Sequence, residues 1–147
     1  MFKKIGMNWI QEYNEYLGPT QDITSIPPFF INFYSWEGEL GELRWATSNP
    51  SILWINPANE TVDQNLVFEI KSLNPRDLII TLNDQNVVEL FLDEGKRYKI
   101  NEVVALRSGR NYLNFKTEEP PVDPPGEDNR KLLFSIEKMF PFYNFEK

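Results

Sequence analysis

The side chains able to do chemistry gather in two short stretches. The first is Phe33-Tyr34-Ser35-Trp36-Glu37-Gly38, running on to Leu43-Arg44-Trp45-Ala46-Thr47; the second is Asp128-Asn129-Arg130-Lys131-Leu132. Each sets an acid and an arginine beside an apolar, strand-like run. Gly38 and Gly41 let the first stretch fold back as a hairpin, which is expected to set Glu37 near Arg44. A guanidinium presents a planar fork that matches a carboxylate, so such a pair would pin the hairpin. Two readings of these residues stand side by side. In one, Glu37 and Arg44 form a structural ion pair flanked by two core tryptophans. In the other, Trp36 and Trp45 stack on the C–H face of a pyranose while Glu37 and Arg44 hold its hydroxyls.

The second stretch admits similar alternatives. Asp128 and Arg130 stand at the mouth of the last strand, placed to cap a loop, with Arg130 reaching an acid across the sheet. Asp123, Glu127 and Asp128 offer clustered oxygens of the kind calcium takes, but no D-x-D-x-D-G spacing is present. No metal and no cofactor is therefore expected. Glu37 and Asp128 would be the pair for a glycosidase, a reaction that needs only two carboxyls at a set separation. With 22 acidic residues in the chain some pair meets by chance, so no catalytic residue is assigned.

Composition narrows the classes further. The chain has 147 residues, a net charge of −7, and neither cysteine nor histidine. Disulfide frameworks, thiolate catalysis and Cys-based zinc sites are excluded, as are Ser–His dyads and HExxH sites. The acidic balance argues against nucleic acid and anionic membranes, which bind basic stripes. No apolar run approaches the ~20 residues of a membrane span, and no apolar signal-peptide core follows the basic N-terminus. A soluble, cytoplasmic protein is expected.

The elements that must position the two stretches are mostly β. Residues 8–17 place Trp9, Ile10, Tyr13, Tyr16 and Leu17 on one helical face before Gly18-Pro19, so a short N-terminal helix and linker over 1–28 is expected. That helix either covers the body or pairs with another copy of the chain. From Phe29 onward, short apolar runs are cut by turns about every ten residues, as in a sandwich. Strands are expected at 29–34, 42–47, 51–55, 66–73, 77–82, 87–92, 97–100, 103–106, 111–116 and 132–139. Asn49-Pro50, Asn83–Asn86, Asp93-Glu94-Gly95 and Ser108-Gly109 supply the breaks. The acidic, Pro-rich stretch 117–128 reads as a long surface loop returning the chain to the sheet. The expectation is one antiparallel, jelly-roll-like β-sandwich over 29–147.

The order of these motifs resembles a β-sandwich accessory module fused to bacterial glycosyltransferases and other polysaccharide-assembly proteins. The resemblance rests on Phe33-Tyr34, Glu37, Arg44-Trp45-Ala46-Thr47, Leu82-Asn83, Asn111-Tyr112-Leu113-Asn114-Phe115, Pro120–Pro125 and Asp128-Asn129-Arg130-Lys131-Leu132, and covers about residues 30–140. It implies a sandwich without catalysis of its own that binds or positions glycans in polysaccharide biosynthesis. The residues expected to contact ligand are Trp36, Glu37, Arg44, Trp45, Asp128 and Arg130. The expected partner is a glycan or a glycan-processing protein. The rival expectation is an assembly module, either an oligomerisation unit working through residues 8–17 or a virion structural protein.

Overall fold

The computed structural model describes residues 26–39 and 41–140. The expected N-terminal helix and its linker up to residue 25 lie outside the described residues. Among the described residues eight strands follow one another with no helix between them: β1 (Phe29–Phe33), β2 (Leu43–Asn56), β3 (Val62–Ser72), β4 (Arg76–Leu82), β5 (Gln85–Leu92), β6 (Arg97–Leu106), β7 (Gly109–Lys116) and β8 (Phe134–Phe140). They form an all-β, antiparallel two-layer body consistent with a jelly roll. One layer runs β5-β4-β7-β2-β1, and the other runs β2-β8-β3-β6.

Period-two patterning is the reason for these strands. On β3, Leu66, Phe68 and Ile70 are buried while the residues between them are not; on β7, Asn111, Leu113 and Phe115 point inward. A strand turns successive side chains to opposite faces, so one apolar row per strand builds the core. Phe115 sits at its centre, with ring centroids of Phe33, Phe68 and Phe134 at 6.0, 6.3 and 5.4 Å. Truncating such a ring to alanine costs about 3–5 kcal/mol.

Two expected breaks are continuous strand. The runs 97–100 and 103–106 join as β6, and the runs on either side of Asn49-Pro50 join as β2. Asn49-Pro50 is a corner rather than an end. Residues 43–45 pair with β8 in one layer, whereas residues 51–56 pair with β7 in the other. Asn49 turns this corner at φ 54°, and its carbonyl accepts the Asn32 side-chain amide at 3.1 Å. Asn32 is itself at φ 62°, where the β1–β2 register slips. Asparagine tolerates that left-handed conformation better than most residues. The Asn83-Asp84 turn is of the two-residue hairpin kind, both residues having positive φ, between Leu82 and its partner Gln85.

Candidate functional site

The hairpin after β1 forms where Gly38 and Gly41 allow it. Both have positive φ, and a side chain at Gly38 would also run into the Glu42 carboxylate. Glu37 and Leu43 exchange backbone hydrogen bonds of 2.7 and 3.2 Å, and Tyr34 N–H donates to Trp45 O at 2.8 Å. The expected Glu37–Arg44 contact does not arise. With Glu37 paired to Leu43, the next residue, Arg44, turns to the opposite face. There its guanidinium lies 4.4 Å from the Phe30 ring centroid and 5.2 Å from that of Trp36, and Nε donates to Tyr34 O at 2.6 Å. Burial lowers its proton affinity, the direction expected where a cation loses water.

Glu37 meets Arg130 instead, across 93 residues of sequence. The loop carrying Arg130 is closed by two backbone hydrogen bonds between Val122 and Leu132, of 2.8 and 2.9 Å. Leu133 N–H then donates to Ala46 O at 2.8 Å, which returns the chain beside β2. Asp128 Oδ1 accepts the Arg130 backbone N–H at 3.0 Å, a tight local cap. Its carboxylate also takes Arg130 Nε at 3.0 and 3.1 Å and Nη2 at 2.7 Å, while Nη1 donates to Glu37 Oε2.

Electrostatics follow from that geometry. The side-chain hydrogen bond from Arg130, and then its backbone N–H, hold the Asp128 carboxyl below its ordinary value. Hydrogen bonds to Asp128 and to Glu37 push Arg130 further up. The cluster is a charged clasp, partly open to solvent: the side chains of Arg130, Glu37 and Asp128 are 27%, 35% and 33% exposed.

Tyr34 joins the two halves. Its ring lies 5.2 Å from the Arg130 guanidinium, its hydroxyl accepts Lys131 N–H at 3.3 Å, and its carbonyl takes Arg44. The structure thus gathers Trp36, Glu37, Arg44, Asp128 and Arg130 around one tyrosine. Trp45 is half-buried on β2 opposite Ser135, joined to this group through its carbonyl. Tyr34 and Phe30 are the residues that sequence reasoning missed; Tyr34 stood in the first motif, but nothing in its spacing marked it as the hub.

A calcium site does not form from the acids of the loop. Asp123 pairs with Lys131 and Asp128 with Arg130, and among the described residues no group of three acids is placed to hold a metal. A glycosidase would need one carboxyl kept protonated near neutral pH. Asp128 is held in the opposite direction, and Glu37 Oε2 is occupied by the same guanidinium.

No protein-family model matches the sequence, and no curated protein is significantly similar to it. Among solved structures, the chain is similar to a family 35 carbohydrate binding module from Clostridium thermocellum, at 16% identity and a TM-score of 0.42, over 74% of this chain and 90% of that one. It is also similar to a CBM35 from Paenibacillus barcinonensis, at 20% identity and a TM-score of 0.40, over 74% and 89% of the two chains. A family 29 carbohydrate binding module matches at 11% identity and a TM-score of 0.41, over 76% and 74%. Likenesses of this size transfer no ligand to this chain. The fold stands on the strands described above.

Proposed function

We propose that the chain is a non-catalytic module that binds or orients a glycan, in keeping with a role in polysaccharide biosynthesis. The observation that carries this reading is the clasp itself. Carboxylates and a guanidinium from distant parts of the chain are fixed at a half-open surface beside the ring of Tyr34, whose carbonyl holds the Arg44 that lies against Trp36. Arg130 has five N–H groups, and its bonds to Asp128 and Glu37 leave one on each Nη for a ligand. Glu37 Oε1 takes no part in the bond to Arg130 and is the acceptor proposed for a hydroxyl. Adjacent sugar hydroxyls both donate and accept, so they suit a neighbouring acceptor and donor held in register.

The test is Glu37→Gln, which keeps the size and an acceptor oxygen for Arg130 while removing the charge. Glycan-array and calorimetric binding should fall about tenfold or more, a loss of at least about 1.4 kcal/mol, with the fold retained. If the wild-type chain binds nothing on a broad neutral and acidic array, or if Glu37→Gln and Asp128→Asn bind as it does, the proposal is wrong.

A second reading, self-association, has one observation in its favour. Among the described residues β1 pairs only with β2, leaving an edge strand, and it exposes Phe29 (53%) and Ile31 (41%). Exposed apolar edge strands invite pairing with another chain. Ile31→Lys should then lower the mass seen by light scattering; an unchanged monomeric mass in both proteins removes this reading.

A further inference from the structure

A second concavity lies at the opposite edge of the sandwich. It is a cleft of about 460 Å³ walled by the β4–β5 turn and by the end of β6, where the edge strands of the two layers part. Small-molecule sites typically measure about 300–1,000 Å³. The clasp is remote from it. Arg44 aligns through Ile136 with Ile70 of β3, whereas the cleft reaches Thr61, just before that strand begins. The cleft's near wall, Glu102, pairs with Leu66, four residues along β3 from Ile70 and three strands across from Arg44, which puts it on the order of 20 Å away.

One buried amide fixes two walls of the cleft. Asn111 is fully buried, and its Oδ1 accepts Asn83 Nδ2 at 2.9 Å and Arg107 N–H at 3.0 Å. Its Nδ2 is shared among the carbonyls of Trp54, Arg107 and Gly109 at 3.2, 3.0 and 3.1 Å. Asn83 Oδ1 in turn accepts Tyr112 N–H at 2.9 Å. The backbones of the turn and of the β6 end are therefore set before any ligand arrives. That lowers the ordering cost of binding.

The groups left over are the chemically telling ones. Arg107 Nε donates to Arg110 O at 3.0 Å, while its two Nη groups meet no protein partner among the described residues. The Glu102 carboxylate and the Gln85 amide, both lining the cleft, likewise meet none. Val87 and Val104 line the cleft beside these polar groups, while Val103, paired with Asn65, turns its side chain to the outer face of β6. One cation and one anion cancel, so nothing selects a charged ligand, while donors and acceptors alternate beside apolar surface.

We infer that this cleft is a second ligand site, for a neutral polyhydroxylated molecule of one or two sugar rings. Ring hydroxyls donate to Glu102 and accept from Arg107 and Gln85, while a C–H face covers Val87. The inference does not require the clasp to bind anything.

The test is an NMR titration of the ¹⁵N-labelled chain with xylose, glucose, cellobiose and maltose, each taken to high concentration. At least one of these sugars should give saturable shifts in the amides of Asn83, Gln85, Asn86 and Val103–Arg107, with a Kd on the order of 1 mM. Arg107→Gln and Glu102→Gln should each raise that Kd tenfold or more, with the rest of the spectrum unchanged. Absence of saturable shifts at these amides with all of the sugars overturns the inference, as does an unaltered Kd in both variants. Shifts confined to Tyr34–Trp45 and Asp128–Lys131 would overturn it while upholding the clasp as the glycan site; shifts confined to the cleft would do the reverse.

Discussion

Replacing Arg44 by leucine separates two roles that its sequence neighbourhood leaves joined. In the folded chain Arg44 is spent on the protein, with Nε on Tyr34 O at 2.6 Å and its plane over Phe30 and Trp36. Removing a hydrogen bond from a charged donor costs about 1.5–3 kcal/mol, and each cation–π contact near the surface adds about 0.5–1 kcal/mol. These contributions share one side chain and overlap, and leucine restores part of the packing, so a net loss of about 2–3 kcal/mol is expected. At about 3 °C per kcal/mol for a domain of this length, Tm should drop by about 6–9 °C. Arg44→Lys keeps a cation above the rings but not the planar fork, and should melt between the two. Calorimetry measures the shift, and near-UV circular dichroism reports loss of the ordered Trp36 environment. If Arg44→Leu melts within about 2 °C of the wild type yet abolishes glycan binding, Arg44 is a ligand contact and the positioning argument fails.

Three further outcomes follow from the same geometry. Arg76 is fully buried and donates to Ser72 Oγ, Asn74 Oδ1, Thr117 Oγ1 and the carbonyls of Glu119 and Pro120; Arg76→Met should cost about 3–5 kcal/mol, lower Tm by about 10–15 °C, and open residues 117–121 to limited proteolysis. Asp128 has its folded-state proton affinity depressed by Arg130, so its stabilising effect is complete above the ordinary carboxylate value of about 4 and is lost as pH falls through the lower folded value. Urea melts between about pH 5 and pH 2 should therefore show a steeper loss for the wild type than for Asp128→Asn, and parallel curves would contradict the pairing. Asn111→Ala should cost about 2–4 kcal/mol and speed amide hydrogen exchange at Arg107, whose N–H loses its acceptor.

The strands were legible because burial alternates residue by residue, as Leu66, Phe68 and Ile70 show against their neighbours. Turns were legible where their chemistry is local, as at Asn83-Asp84. Asn49-Pro50 misled for a physical reason: a left-handed residue before a proline can end a strand or bend it into another layer, and only the partners on either side decide. The clasp was half legible. Both arginines and both acids stood out by type, and Arg130 does reach an acid from elsewhere in the chain. Which acid depends on hairpin register, and a shift of one residue exchanges the faces of Glu37 and Arg44. The buried roles of Arg76 and of Asn111, which stood in a quoted motif, were not legible for a related reason. Arg76 is paired by carbonyls of the Pro-rich loop, which returns from more than forty residues away, and Asn111 gains meaning only from carbonyls supplied by β2 and the β6–β7 turn.

For the glycan role proposed above, a clasp of opposite charges has an entropic rationale. Free glutamate and arginine side chains each sample many rotamers, and a sugar hydroxyl offers too little energy to freeze them. Here Arg130 freezes Glu37 and Asp128 during folding, and Tyr34, itself held by the Lys131 N–H, covers Arg130, so the ordering cost is met before a ligand arrives. One guanidinium against two carboxylates leaves the clasp a net negative charge, which disfavours an anionic ligand and leaves acceptors for hydroxyls. What remains for a ligand is a few directed hydrogen bonds beside half-buried rings. Such a site should hold one or two sugar rings weakly, on the order of a millimolar Kd, and gain strength chiefly through repeated engagement of a polymer or of linked copies. Weak binding and fixed geometry suit a module that orients a chain for another protein better than one that sequesters it.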